Sequence, residues 1–119
     1  MSWGGSINKN FEWRSIYTYG KNLPELWDDS NAGTTYKIKV TSNEIRKVKF
    51  SIDEATTTYT AIATVNGKVF NEHQEFSIPV GETIISINIV GPHVGTYKKG
   101  YINIYAYIPI ANINAEIIK

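Results

Sequence analysis

Strict alternation of apolar and polar residues constrains this chain more than any other feature. Tyr36, Ile38 and Val40 fall on one side of an extended segment, with Lys37, Lys39 and Thr41 on the other. Beyond Ser42-Asn43-Glu44 the pattern resumes, placing Val48, Phe50 and Ile52 opposite Lys47, Lys49 and Ser51. Successive side chains of a β-strand point to opposite faces, so a period of two marks half-buried strands. Two such runs split by a polar turn predict a hairpin through Thr41–Glu44. Tyr59, Ala61, Ala63 and Val65 then alternate with Thr58, Thr60, Ile62 and Thr64. Asn66-Gly67 suits a type I′ turn, whose two central residues take positive φ, and should fold Thr57–Val65 back onto Lys68–Phe70.

The remaining segments repeat the pattern. Glu75–Ile78 reads as a short strand and Pro79-Val80-Gly81-Glu82 as a turn. Ile85, Ile87 and Ile89 alternate with Ser86, Asn88 and Val90, and Ile102, Ile104, Ala106 and Ile108 form the buried side of Tyr101–Ile108. Trp13–Tyr19 opens the series, while Ala111–Ile118 fits an edge strand or a short terminal helix. Leu23–Asp29, with Pro24 at a helix start, fits one helical turn inside a long loop. The expectation is an all-β fold, an antiparallel β-sandwich or jelly roll of about 7–9 strands, in one domain over residues 1–119.

Composition narrows the chemistry. With no cysteine, the 119-residue chain has no thiolate nucleophile and no cysteine metal site. Twelve Lys and Arg against eleven Asp and Glu argue against a nucleic-acid partner, which calls for a concentrated basic excess. Met1–Asn10 holds no apolar run, so no signal peptide is expected, and no stretch reaches the ~18 apolar residues of a membrane span. The expectation is a soluble protein, either cytoplasmic or exported by a route without a signal peptide.

The inventory of reactive groups points away from an enzyme. His73, between Glu72 and Glu75, reads either as an acid–base group tuned by one of those carboxylates or as part of a solvated loop. No Gly-x-Ser-x-Gly elbow or Gly-rich phosphate loop occurs, so no catalytic residue is assigned. Asp28-Asp29-Ser30-Asn31-Ala32-Gly33 is the densest oxygen cluster; calcium is the ion such a loop would take, and an ordinary Asx-rich turn is the other reading. It is not an EF-hand, because counting from Asp29 the twelfth position, where a bidentate Glu belongs, is Val40.

Two surface patterns stand out. If the first hairpin forms, Lys37, Lys39, Lys47 and Lys49 share one face, suited to an acidic polysaccharide or an anionic surface, or to guarding a sheet edge. On the last clear strand, Tyr101, Asn103, Tyr105 and Tyr107 fall opposite the buried isoleucines. Tyrosine offers flat apolar area plus a hydroxyl, which suits both sugars and protein partners.

Several short motifs resemble the soluble galactophilic lectins of bacteria (the PA-IL type). The start Trp3-Gly4-Gly5-Ser6-Ile7 with Asn10, the approach Ser77-Ile78-Pro79-Val80-Gly81-Glu82, and the run Gly91-Pro92-His93-Val94-Gly95-Thr96-Tyr97 before Gly100 carry the likeness. The resemblance implies a β-sandwich that binds galactose-type glycans, with Thr96 at a calcium-ligand position and Gly95 and Tyr97 in the same loop. The sequence departs from the family where its ligands should stand. Pro92 or His93 occupies the place of an Asp and Lys98-Lys99 the place of two amides, and an ammonium cannot ligate calcium.

Two expectations follow. In the first, the chain is a non-enzymatic carbohydrate-binding module whose glycan or glycoconjugate partner contacts His93, Thr96, Tyr97, Tyr101, Asn103, Tyr105 and Trp27. In the second, it is a structural subunit, a homo-oligomer or part of an extracellular, virion or toxin-associated complex, with the tyrosine stripe and Ala111–Ile118 buried against another copy.

Overall fold

The computed structural model describes residues 13–22, 33–53, 59–91, 99–107 and 112–118, and every regular element among them is a β-strand. The strands are β1 (Trp13–Asn22), β2 (Thr34–Ser42), β3 (Arg46–Asp53), β4 (Thr60–Val65), β5 (Lys68–Asn71), β6 (Phe76–Ile78), β7 (Gly81–Val90), β8 (Lys99–Tyr107) and β9 (Ile113–Ile118). They form two antiparallel sheets, ordered β1-β8-β3-β6 and β5-β4-β7-β2-β9. Among the described residues no helix is long and apolar enough to cross a membrane.

The wiring is that of a jelly roll. β1 pairs with β8, β2 with β7, β3 with β6 and β4 with β5, the nested order of one long hairpin. Rolling that hairpin adds the β3–β8 and β4–β7 pairs and yields two four-stranded sheets face to face. β9 is a ninth strand laid along β2, so the ambiguous C-terminal segment is an edge strand rather than a helix. Asn66 and Gly67 take φ of 50° and 82°, the type I′ turn expected between β4 and β5.

One expectation fails. The segments on either side of Ser42-Asn43-Glu44 do not pair as a hairpin, because β2 lies in the five-stranded sheet and β3 in the four-stranded one. Alternation specifies which face a strand buries but not its neighbour, and two strands facing each other across a core satisfy it as well as two strands side by side. Both edges of β2 are taken by β7 and β9, and both edges of β3 by β8 and β6. The link is fixed locally by Ser42 Oγ, which donates to the Glu44 carbonyl at 2.7 Å. The basic hairpin therefore does not exist: Lys37 and Lys39 project from one outer surface of the sandwich, Lys47 and Lys49 from the other.

The core lies between the sheets. Ile38 and Val40 of β2, Val48 and Phe50 of β3, Ile85, Ile87 and Ile89 of β7, and Ile102 and Ile104 of β8 are fully buried there. Branched side chains with one preferred χ1 suit this pleated, close-packed interior. At one end of the sandwich the register sets Asn22 beside Lys99, Asp53 beside Tyr101, Thr34 beside Ile89 and Thr60 beside Val90. The strand ends from which residues 23–33, 54–59 and 91–98 depart thus share that end. Gly33 closes it tightly: its φ is +68°, and a Cβ there would stand 2.5 Å from the Ile89 carbonyl oxygen.

β1 carries a bulge that matters for the surface. Ser15 pairs with Tyr105 and Tyr17 with Ile104, leaving Ile16 as the extra residue. Unbroken alternation would put Trp13, Ser15, Tyr17 and Tyr19 on one face. The bulge instead turns Trp13 and Ser15 outward and leaves Tyr17 and Tyr19 packed against the core.

Candidate functional site

The outer face of the four-stranded sheet gathers aromatic, charged and hydrogen-bonding side chains in cross-strand rows. Gly20, Tyr101 and Asp53 make one row; Thr18, Asn103 and Ser51 the next; Ser15, Tyr105 and Lys49 the third. Trp13 and Tyr107 follow, with Lys47 beside them. A shallow depression of about 290 Å³ opens here, lined by Trp13, Lys49, Ser51, Asp53, His73 and Tyr105.

A hydrogen-bonded line holds the middle of this surface. Thr18 Oγ1 donates to Asn103 Oδ1 at 2.9 Å, and Asn103 Nδ2 donates to Asp53 Oδ2 at 2.9 Å. Asn103 is 6% exposed and Ser51 4%, low values for side chains on an outer face. Their taller neighbours overhang them, so Ser51 sits low in the depression and Asn103 braces Asp53 from beneath. Asn103, expected to contact ligand, hydrogen-bonds Thr18 and Asp53 through its amide.

The aromatic groups are fixed in turn. The Trp13 and Tyr107 rings meet edge to face, 5.4 Å between centroids. Lys49 Nζ lies 4.3 Å above the centre of the Trp13 ring, and Lys47 Nζ 5.6 Å above that of Tyr107. Such ammonium–ring contacts are electrostatically favourable, about 0.5–1 kcal/mol when exposed. Tyr101 lies over Gly20, where an added Cβ would come within 2.7 Å of its ring, so the glycine makes room for the aromatic.

His73 reaches the site through the loop after β5. β6 pairs with β3 only at Arg46, Lys47 and Val48. Farther along that edge, His73 N–H donates to the Phe50 carbonyl at 2.9 Å and Ile52 N–H donates to Glu72 Oε1 at 2.8 Å. The Tyr59 hydroxyl stands 3.0 Å from the same carboxylate oxygen and 3.1 Å from the Ile52 carbonyl. Loop residues thereby substitute for a missing strand, and His73 pays for its position with a left-handed φ of 66°. Glu72, one of the two carboxylates expected to tune His73, is occupied in holding the β3 edge.

The opposite outer face is differently built. Lys39 on β2 lies 3.1 Å from Glu116 on β9 and 3.7 Å from Glu82 on β7, a charge bridge across three strands. The Glu116 hydrogen bond, then the nearby Glu82 and Glu116 charges, hold its ammonium pKa above the ordinary 10.5. Where the two sheet edges meet, burial pushes the Tyr17 phenol up, partly offset by a backbone hydrogen bond from Ile117.

Of the residues expected to contact ligand, Tyr101, Asn103 and Tyr105 lie together on this one surface. Trp27, His93, Thr96 and Tyr97 lie outside the described residues, as do positions 28–32 of the oxygen-rich loop. Among the described residues no cluster of three or more His, Asp or Glu side chains is placed to hold a metal ion. Trp13, Ser51 and Asp53 join the site without having been singled out, and Lys49 and His73 join it from the separate lysine-face and acid–base readings. The alternation already put Lys49 and Ser51 outward, but pairing β3 with β8 was needed to bring them beside Tyr105. Comparison of the chain with known protein families, with curated proteins and with solved structures finds no match.

Proposed function

We propose that the protein is a non-enzymatic carbohydrate-binding module that takes its glycan on the outer face of the four-stranded sheet. The observation that carries this reading is the composition of the depression: two aromatic rings, Trp13 and Tyr105, beside Asp53, Ser51 and His73. A sugar ring presents polarised C–H groups on its faces and hydroxyls around its rim. Flat aromatic area covers the former, and a few placed polar groups orient the latter. Asp53 suits paired hydroxyl donors, and Asn103 fixes its carboxylate in place.

The lining residues argue for binding rather than turnover. Among the described residues they include one carboxylate, whereas glycoside hydrolysis by the usual route uses two facing each other across the bond. Galactose-type glycans are the first class to try, with Tyr101 as a further contact at the rim.

A glycan array in calcium and again in chelator, using the wild type and Tyr105→Ala, tests the reading. Expected is chelator-resistant binding that the variant loses at least ten-fold. Chelator-sensitive binding that Tyr105→Ala leaves intact would move the site to the connections beyond the described strands. No binding in either condition, with an ordered oligomer in light scattering that Tyr105→Ala disperses, would replace this reading by a self-assembling subunit.

A further inference from the structure

We infer that the sheet face selects acidic saccharides, sugars bearing a carboxylate or sulfate, over neutral ones; this rests on the carbohydrate reading above. The ground is the position of Lys49. Its ammonium sits 4.3 Å over the Trp13 ring, so the indole face a sugar would cover is already occupied. A neutral sugar entering there must displace the lysine and offers its charge nothing in return. An anionic sugar draws the ammonium onto its own carboxylate or sulfate as it uncovers the ring, exchanging one electrostatic contact for a stronger one.

The layout of charge supports the same choice. Lys47 and Lys49 stand together at the Trp13–Tyr107 end of the face, with Lys47 Nζ 5.6 Å over Tyr107. Asp53 lies at the other end, four residues along the same strand from Lys49, or about 13 Å. That span suits a disaccharide whose acidic residue lies toward the lysines and whose neutral hydroxyls meet Asp53 and His73. A single-stranded nucleic acid would also use aromatic rings and lysines, but two lysines followed by a carboxylate do not track a continuous phosphate backbone.

Calorimetric titration decides it, with digalacturonate, sulfated galactobiose, neutral galactobiose and inorganic sulfate as probes. The wild type should bind at least one acidic disaccharide ten-fold or more tighter than galactobiose, and inorganic sulfate far more weakly than either acidic form. Whichever anionic disaccharide binds better identifies the preferred acid. Lys49→Gln should erase the preference from both sides, weakening the acidic ligand about ten-fold and strengthening the neutral one a few-fold as the indole is uncovered. Lys49→Arg should retain it. Equal affinity for acidic and neutral disaccharides, both lost in Tyr105→Ala, overturns the acid preference and leaves the carbohydrate reading standing. Failure of all the saccharides to bind sinks both. Tight binding of bare sulfate, or a preference unchanged in Lys49→Gln, also overturns the inference.

Discussion

Asn103 is the residue on which the build of the candidate face depends most. Its amide receives from Thr18 on one strand and gives to Asp53 on another, so one side chain ties three strands through their outer surface. Replacing it by Asp turns the donor facing Asp53 into a second carboxylate. Two such groups at hydrogen-bond distance cannot both ionise freely, so the pair keeps a proton at a pH where the unfolded chain, with Asp near ~3.9, has lost it. A raised folded pKa means that stability falls as pH rises through it. Asn103→Asp should therefore be about 1–3 kcal/mol less stable than the wild type near neutrality and close that gap between pH ~6 and ~4, as read by urea unfolding. Alternation placed Asn103, Tyr101 and Tyr105 on one side of their strand correctly. That Asn103 is buried there was not legible, since burial on an outer face depends on which strands flank it. Trp13 was hidden for a different reason: one bulged residue, Ile16, breaks the period that would have revealed its direction.

At the level of elements, the edges show most clearly how the sheets are finished. On its β6 side the upper part of β3 has no strand beside it among the described residues, and Glu72, His73 and Tyr59 occupy its backbone groups there. β9 is secured along β2 by ladder pairing and by the Lys39 bridge to Glu116, with Glu82 on the far side. Because Lys39 has a folded pKa above its ordinary 10.5, its contribution is complete below that value and disappears as pH rises through the folded one. The melting temperature of the wild type should exceed that of Lys39→Gln at pH ~8, and the difference should shrink as pH rises past the ordinary 10.5 and through the higher folded value. Tyr17 ionises in the same alkaline range, but it is present in both proteins and cancels from the comparison. The edge-strand reading of the C-terminal segment was open in the sequence because Ile113, Ala115 and Ile117 alternate while Ala111–Ile118 is short enough for a helical turn.

Across the whole molecule, eight strands pair by a single rule and the ninth stands outside it. The roll from β1 to β8 is closed under that rule, whereas β9 covers one edge of β2 and meets β1 where Ile117 hydrogen-bonds Tyr17. Deleting residues 112–119 should leave a protein that still melts cooperatively, at a lower temperature. It should also gain concentration-dependent association in size-exclusion chromatography, through the newly bared β2 edge. Loss of the cooperative transition would show that β9 belongs to the folding unit. The sandwich itself was readable from alternation and from Asn66-Gly67. The assignment of neighbours was not, because β1 and β8 meet across some eighty positions of chain and nothing local records that meeting. For the same reason alternation assigns the lysines of β2 and β3 to one patch, which the fold divides between two surfaces.

The clustering of strand ends has a consequence for how such a molecule can diversify. Residues 23–32, 54–58 and 92–98 join strands at one end, while 43–45, 66–67 and 79–80 are short links whose geometry sets strand placement. Insertions or exchanges in the long connections leave every ladder in register, whereas one residue added to the Asn66-Gly67 turn would reverse the faces of β5. The sandwich is thus a chassis with one interchangeable end, and a library randomised only there would explore new specificities on an unchanged frame.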